Sequence, residues 1–373
     1  MKRRNIANYW RHHILVTLLF AFVTLTCIIA LELSLRFLYP LNVSQVNWWV
    51  NKVDYTYDRD LIYTGVRNTT YTNYSPEYSE KVSTNAYGYR DHEFEKKKPG
   101  NYRILAVGDS FTFGLGIETN DSTYPKLLEK YLKTRPELRN KDIEVFNVAA
   151  KGYSPDQEYR QIQKELFTLE PDMILWNFSV PGDMYNLLHE GKWPIPSLYD
   201  VKEDTLVPLD GRFNWLYIAK YIKAHSPSFV GTSHIFNILT YRISQVRFTS
   251  RKPYISNKDM TSWIAKKIHL EIKDIQKLAK KKNVQLVVVS LPYPEQFNLN
   301  TQSRSLTLTY QAIVQSVQQS GTMVIDMKDS IVKKKTLSWR DLYFKMDYHP
   351  NQKGVAFFAE TVGDRISHMI PLD

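Results

Sequence analysis

An uncharged apolar run from Ile14 to Leu31, ILVTLLFAFVTLTCIIAL, is the longest in the chain. At ~1.5 Å of rise per residue it nearly crosses a ~30 Å hydrocarbon core, and Glu32, Leu33 and Leu35 carry it into the interface. The pattern predicts a transmembrane helix over 14–35. The alternative, a cleaved signal peptide, calls for a shorter run and a small-residue cleavage site. Continuation into Leu-Glu-Leu-Ser-Leu-Arg favours an uncleaved anchor, and Thr26 before Cys27 speaks against lipoprotein processing. Lys2, Arg3, Arg4 and Arg11 crowd the N-terminal flank without an acid. The positive-inside rule therefore keeps residues 1–13 in the cytoplasm and places everything beyond about Arg36 in the periplasm or at the cell surface.

From Asn101 onward, short Val- and Ile-rich runs alternate with longer helical patterns, which is the signature of βαβ units. The expected strands are Arg103 to Gly108, Ile143 to Val148, Met173 to Asn177, Val284 to Ser290 and Met323 to Asp326. Each is nearly continuous in apolar residues, as a strand must be when helices cover both faces of its sheet. Thr261 to Lys280 places Ile264, Ile268, Ile272, Ile275 and Ala279 at spacings of three and four and predicts one amphipathic helix. The fold class is thus α/β, a three-layer sandwich with a central, mostly parallel sheet over 101–373, preceded by one transmembrane helix. Residues 36–100, rich in Tyr, Asn, Thr and Asp, read as an irregular lead-in packed on that domain, with a turn at Tyr87 to Asp91 and an exposed boundary at Lys96 to Gly100. The stretch 184–258 breaks the alternation. Its Trp, Tyr and Pro content suggests an inserted cap of helices and loops, either over a substrate or purely structural.

Composition changes this picture little. With 373 residues and 43% hydrophobic content the chain has ample material for a packed core. Its single cysteine, Cys27, rules out an intrachain disulfide framework and a cysteine-based metal site. Of the net charge of +11, Lys2, Arg3, Arg4 and Arg11 supply four, and the remaining +7 is spread over lysine-rich helices and loops. No zinc-finger spacing, RNA-binding aromatic signature or arginine-crowded helix accompanies it, so no nucleic-acid partner is expected.

The candidate chemistry lies in two distant segments. The first strand runs into Gly108-Asp109-Ser110, which places a hydroxyl at the carboxyl edge of the sheet, where open α/β folds keep their sites. A serine hydroxyl is a weak nucleophile until a base takes its proton. Among nine histidines, His349 in Asp347-Tyr348-His349-Pro350-Asn351 has the best setting, because Asp347 two residues earlier can hold the imidazole in one tautomer. Either segment alone is weak, since Gly-Asp-Ser also caps helices and Asp-x-His also closes loops. Asp172, Asp326 and Asp341 read as caps or surface charges, and His189, His225 and His234 lack metal-ligand spacing. Trp193, Trp215 and Tyr217 fit core packing better than a sugar groove.

Four stretches together, NAYGYRD at 85–91, RILAVGDSFTFGLGI at 103–117, FNVAAKGYSPDQEY at 146–159 and FKMDYHPNQKG at 344–354, resemble the SGNH (GDSL-like) hydrolase family and its membrane-anchored bacterial members. The resemblance runs from about Tyr55 to the C-terminus, apart from about 190–255. It implies Ser110 as nucleophile, His349 as base and Asp347 as the orienting acid. Where other branches keep the acid three residues before the histidine, this chain has Met346. The implied oxyanion positions are Ser110, Gly152 and Gly182, the first two through backbone N–H groups. Gly182 stands where the family carries an asparagine, so one side-chain donor is missing unless Asn177 or Asn186 replaces it. Loss of one such donor typically costs about 100- to 1,000-fold in rate. The implied activity is esterase or O-acyltransferase chemistry on ester-linked acyl groups of cell-envelope glycans, with no metal or organic cofactor. The competing expectation is a weakly active or non-catalytic glycan-binding protein of the envelope.

Overall fold

The computed structural model describes residues 2–38, 55–180, 198–208, 233–235, 238–239, 257–297, 301–334 and 336–372. Helix α1 (Lys2–Leu38) contains the apolar run, and its stretch Tyr9–Leu38 includes an 18-residue window of mean hydropathy 2.8 with none of its residues buried. Those 30 residues are long and apolar enough to cross a membrane, and the expected 14–35 span lies within them. Near its end the Glu32 carboxylate accepts the backbone N–H groups of His234 and Ile235 at 2.8 and 3.0 Å and the Ser233 hydroxyl at 2.9 Å.

The lead-in differs from the irregular segment expected. Where described it holds two antiparallel hairpins, β1 (Tyr55–Asp58) with β2 (Ile62–Gly65) and β3 (Thr70–Tyr74) with β4 (Ser79–Ser83). Its tyrosines and threonines are strand formers on a half-buried surface, and a partner sheet face overrides the polar composition. Tyr55, Leu61, Ile62 and Tyr63 are buried in the main core. The expected turn at 87–91 is present, with Gly88 N–H on the Asn85 carbonyl at 2.9 Å, Tyr87 exposed, and Arg90 and Asp91 buried.

Strands β5 (Asn101–Val107), β6 (Asp142–Asn147) and β7 (Met173–Val180) enter the central sheet. The pair β8 (Tyr199–Lys202) and β9 (Thr205–Pro208) forms a separate antiparallel hairpin within the insertion, and β10 (Gln285–Pro292) and β11 (Met323–Asp326) complete the sheet. Among the described residues its order is β11-β10-β7-β5-β6, all parallel, and the expected strand limits hold to within three residues. Alternation along each strand divides the core into two halves. Leu105, Val107, Ile174, Trp176 and Val288 face one layer, whereas Ile104, Ala106, Leu175, Val287 and Val289 face the other.

The chain then places helices on both sides. After the short α2 (Ser110–Phe113), α3 (Tyr124–Thr134) goes to one face and α4 (Pro155–Lys164) to the other. Helices α5 (Asn257–Lys281) and α6 (Thr301–Gln319) join α4, and α7 (Met327–Lys333) and α8 (Gln352–Ile366) join α3. The α5 stripe Ile264, Ile268, Ile272, Ile275 and Ala279 is buried as its spacing requires. In the 184–258 insertion, β8 and β9 replace the helices and loops expected at that point. Buried Asp156 on α4 holds this hairpin by accepting the N–H groups of Leu198 and Tyr199 at 2.6 and 3.2 Å, while Lys267 on α5 pairs with Asp156 at 2.6 Å.

Arg90 ties the lead-in to the segment behind α2. Its guanidinium, fully buried, donates to the carbonyls of Gly114, Ile117 and Lys81 at 2.5, 2.6 and 3.2 Å and lies 3.6 Å from buried Glu80. Glu80 in turn accepts the Gly116 N–H at 2.6 Å. Removing one partner of such a pair strands the other charge without solvent, at a cost of about 3–5 kcal/mol. Arg90→Met is therefore expected to lower unfolding stability by about that amount, measured by urea titration; a loss within ~0.5 kcal/mol would show that the network is dispensable.

Candidate active site

β5 ends at Val107, and the chain turns at Gly108 into α2, with Asp109 as its N-cap accepting the Phe111 N–H at 2.9 Å. This turn leaves Ser110 at the mouth of the sheet, half-buried, between buried Asp109 and Phe111. The other Asp109 oxygen takes the hydroxyl of Ser179 from the end of β7. Burial raises the Asp109 carboxyl above its ordinary value, against the lowering effect of Ser179, Phe111 and the nearby His349. Asp109 thus serves as a structural cap.

The structure brings the three residues of the expected triad together. Ser110 Oγ lies 2.8 Å from His349 Nε2, and His349 Nδ1 bonds to Asp347 Oδ1 on its other side. Asp347 is ionised by its partners. Burial acts to raise its pKa, but the hydrogen bond and charge of His349, with the Tyr78 hydroxyl, outweigh burial and hold it below the ordinary 3.8. The imidazole packs against Phe111 with ring centres 5.1 Å apart.

The loop carrying Asp347 and His349 is closed by its own backbone. Phe344 N–H donates to the His349 carbonyl and Asn351 N–H to the Leu342 carbonyl, both at 2.9 Å, and Tyr343 and Pro350 form an antiparallel bridge. Asn351 then caps α8 through Lys353 and Gly354 N–H groups at 3.0 and 3.1 Å. Between Asp347 and His349, Tyr348 takes a left-handed φ of 65°, a conformation costing a non-glycine residue roughly 1–2 kcal/mol.

Two residues absent from the sequence reading offset that cost. Glu77, in the β3–β4 turn, accepts the consecutive N–H groups of Lys345, Met346 and Asp347 at 2.7, 2.9 and 2.9 Å. Its neighbour Tyr78 donates its hydroxyl to Asp347 Oδ2 at 2.7 Å, so both carboxylate oxygens are engaged. Burial first, and then the Asp347 contact, hold the Tyr78 phenol above its ordinary value, so it remains a donor. Tyr78 packs on Phe344 at 5.0 Å, and both rings lie where a Cβ on Gly116 would sit, 3.0 and 2.6 Å away. The only signal in the sequence is a polar Ser-Pro-Glu-Tyr turn, which also fits an exposed hairpin tip.

The expected oxyanion positions fare differently. The loop after β6 follows β5 past the end of the strand, with Ala150 N–H on the Gly108 carbonyl at 3.1 Å, and leads into Gly152 at φ 74°. Among the described residues, neither the Ser110 N–H nor the Gly152 N–H donates a hydrogen bond within the protein. Gly182 and Asn186 lie outside the described residues, as do His189, His225, Trp193, Trp215 and Tyr217. Asn177 cannot replace the missing amide: it is buried, and its Nδ2 donates to the Val107 and Leu175 carbonyls at 2.7 and 3.1 Å. Met346 is exposed and takes no part in the triad. Asp326 is a cap, as expected, accepting the Asp329 N–H at the start of α7, while Asp172 pairs with Lys97 at 2.7 Å.

Comparison with known proteins follows from this geometry. Residues 248–372 match the model of an SGNH hydrolase-like domain described as acetyltransferase AlgX, a span that includes Asp347 and His349. Over that third of the chain, which leaves out Ser110, the sequence is similar to an SGNH hydrolase-like domain. Solved structures similar to the chain include the esterase EstA from Pseudoalteromonas sp. (13% identity, 72% of this chain and 98% of that one, TM-score 0.38). A second is LAE5, an alpha/beta hydrolase from the metagenome of Lake Arreo, Spain (12%, 72% and 99%, TM-score 0.42). A third is a catalytic mutant of Axe2, an acetylxylan esterase from Geobacillus stearothermophilus (11%, 74% and 98%, TM-score 0.40). No curated protein matches the sequence.

The stability contributed by Asp347 has a defined pH window. A carboxyl whose folded pKa is depressed stabilises the fold fully above its unfolded value and loses that contribution as pH falls through the folded value. The stability gap between the wild type and Asp347→Asn is therefore expected to be largest near neutrality and to close below the ordinary value of 3.8, as followed by thermal melts across pH. A gap unchanged down to pH 2 would contradict the ionised pair. Glu77→Ala, which frees three N–H groups behind Asp347, is expected to lower any turnover that depends on Ser110 about tenfold by misplacing His349, with the melting temperature reporting any separate loss of fold.

Proposed function

We propose that the chain is a membrane-anchored serine esterase or O-acyltransferase acting on acyl groups, acetyl foremost, esterified to cell-envelope glycans. The observation that carries this reading is the 2.8 Å contact between Ser110 Oγ and His349 Nε2, with the opposite imidazole nitrogen on Asp347. His349 accepts the Ser110 proton as Oγ attacks the ester carbonyl, and Asp347 stabilises the resulting imidazolium. The tetrahedral oxyanion rests on the Ser110 and Gly152 N–H groups. Collapse of that intermediate breaks the C–O bond to the alcohol, which takes the proton from His349 and leaves an acyl-Ser110 ester. Water attacking this ester, deprotonated by His349, completes hydrolysis, whereas a sugar hydroxyl attacking in the same way completes transfer.

The acetyl group is supported by the description of the matched domain model as an acetyltransferase. The envelope setting is supported by α1, with its basic residues placed at the cytoplasmic end. In that orientation the domain lies across the inner membrane, in the periplasm or outside the cell.

The test compares the detergent-solubilised full-length chain with its Ser110→Ala variant on an activated acetyl ester. The variant is expected to lose at least about 1,000-fold in kcat/KM, with an acyl adduct on Ser110 visible by intact-mass analysis of the wild type. Equal turnover by the two proteins would remove the enzyme reading and leave a glycan-binding module in its place.

A further inference from the structure

The loop that carries Gly152 is a β-turn in which Tyr153 N–H closes on the Ala150 carbonyl at 3.2 Å. Lys151 and Gly152 are its central residues, and the Gly152 φ of +74° has the sign that a type II turn requires at its third position. Type I and type II turns differ by reversal of the central peptide, here the one joining Lys151 to Gly152. A glycine at the third position makes both forms accessible, so sequence alone does not fix which way this peptide faces. Because the unit is planar and trans, its C=O and N–H point in opposite directions. Whatever holds the Lys151 carbonyl therefore aims the Gly152 N–H.

The first lead-in hairpin holds that carbonyl. Tyr63 donates its hydroxyl to Lys151 O at 2.9 Å, and Tyr55 lies on the same oxygen at 3.5 Å. The grip is reciprocal, since Tyr153 donates its own hydroxyl to the Tyr63 carbonyl at 2.7 Å. The Tyr63 ring packs edge-on against Tyr55 and Tyr153, with centres 4.9 and 5.3 Å apart. The Lys151 side chain is fixed as well, its ammonium lying 5.7, 5.3 and 5.2 Å from the rings of Tyr55, Tyr71 and Phe113. Tyr55, Tyr63 and Tyr71 all belong to the lead-in, outside the central sheet.

We infer that Tyr63, assisted by Tyr55, is a positioning residue for catalysis: it locks the Lys151–Gly152 peptide in the orientation that aims the Gly152 N–H at the oxyanion. The inference rests on the acyl-serine reading above and adds to it a requirement for the lead-in hairpin. It touches neither the nucleophile nor the base, so its loss should appear in the chemical step alone.

The test uses the full-length chain in detergent with Tyr63→Phe, the Tyr55→Phe/Tyr63→Phe pair, and Tyr310→Phe as a control that loses a buried tyrosyl hydrogen bond far from the turn, to Asp326. Tyr63→Phe is expected to lower kcat by about 10- to 100-fold, approaching the effect of losing one oxyanion donor. KM should stay within about twofold and the pH profile should not move, because His349 and Asp347 are untouched. Tyr310→Phe should retain full turnover even if it melts earlier. A crystal structure of Tyr63→Phe should show the 151–152 peptide reversed or split between two orientations. Unchanged kcat with the peptide in its original orientation overturns the inference while leaving the enzyme reading intact. A shifted pH profile or a loss matched by Tyr310→Phe also overturns it, since either outcome marks a general structural effect. Absence of Ser110-dependent turnover in the wild type overturns both.

Discussion

The geometry of the site depends on one contact, Ser110 Oγ against His349 Nε2 at 2.8 Å, made between segments 239 residues apart in the chain. The rest of the architecture can be understood through that contact. The parallel sheet delivers Ser110 at the end of β5, and α8 delivers Asn351 and with it the loop of His349. Neither element alone sets the loop to the accuracy of one hydrogen bond. That accuracy comes from the cross-loop bonds of Phe344 and Asn351, from the left-handed Tyr348, and from Glu77 gathering three adjacent N–H groups behind the imidazole. A site whose members sit on remote segments needs such secondary support, because a displacement of about 1 Å costs of the order of a hundredfold in rate.

Much of this was legible in the residues. The strands announced themselves because a sheet covered on both faces demands unbroken apolar runs, and α5 because five aliphatic residues recur at helical spacing. Ser110, Asp347 and His349, which the fold brings together, stand out in the sequence because their neighbours, Gly-Asp before the serine and Pro-Asn after the histidine, are turn formers. The lead-in was misjudged for a physical reason: its strands are short and rich in Tyr and Thr, and their burial comes from tertiary contact rather than from an apolar pattern of their own. Glu77 and Tyr78 were invisible for a related reason. A carboxylate that binds backbone N–H groups across the fold has the same local sequence as one that faces water.

Buried charge is concentrated where elements must keep a fixed offset. Arg90 joins the lead-in to the segment behind α2, and Lys267 joins α5 to Asp156 at the start of α4 and to the Tyr199 carbonyl in the insertion hairpin at 2.8 Å. Glu271, fully buried beside Asp156, is pushed well above its ordinary value by burial and by that neighbour. A hydrophobic filling would pack these helices at least as tightly, but directional bonds admit only one register. The same α4 turn carries Glu158, which accepts the Trp176 indole N–H at 2.8 Å and links the helix to the middle strand of the sheet.

The lysine-rich stretch at 96–100 looks like a natural place to divide the protein, and the contacts of Glu77 and Tyr78 make it a poor one. A chain shortened to begin there would retain all five strands of the central sheet and Ser110, yet it would lack the bonds of Glu77 and Tyr78 to the loop of Asp347 and His349. The minimal unit of inheritance is accordingly larger than the α/β sandwich. The upstream β3–β4 hairpin holds the loop of Asp347 and His349, and recombination that paired this sandwich with a foreign lead-in would leave that loop without Glu77 and Tyr78.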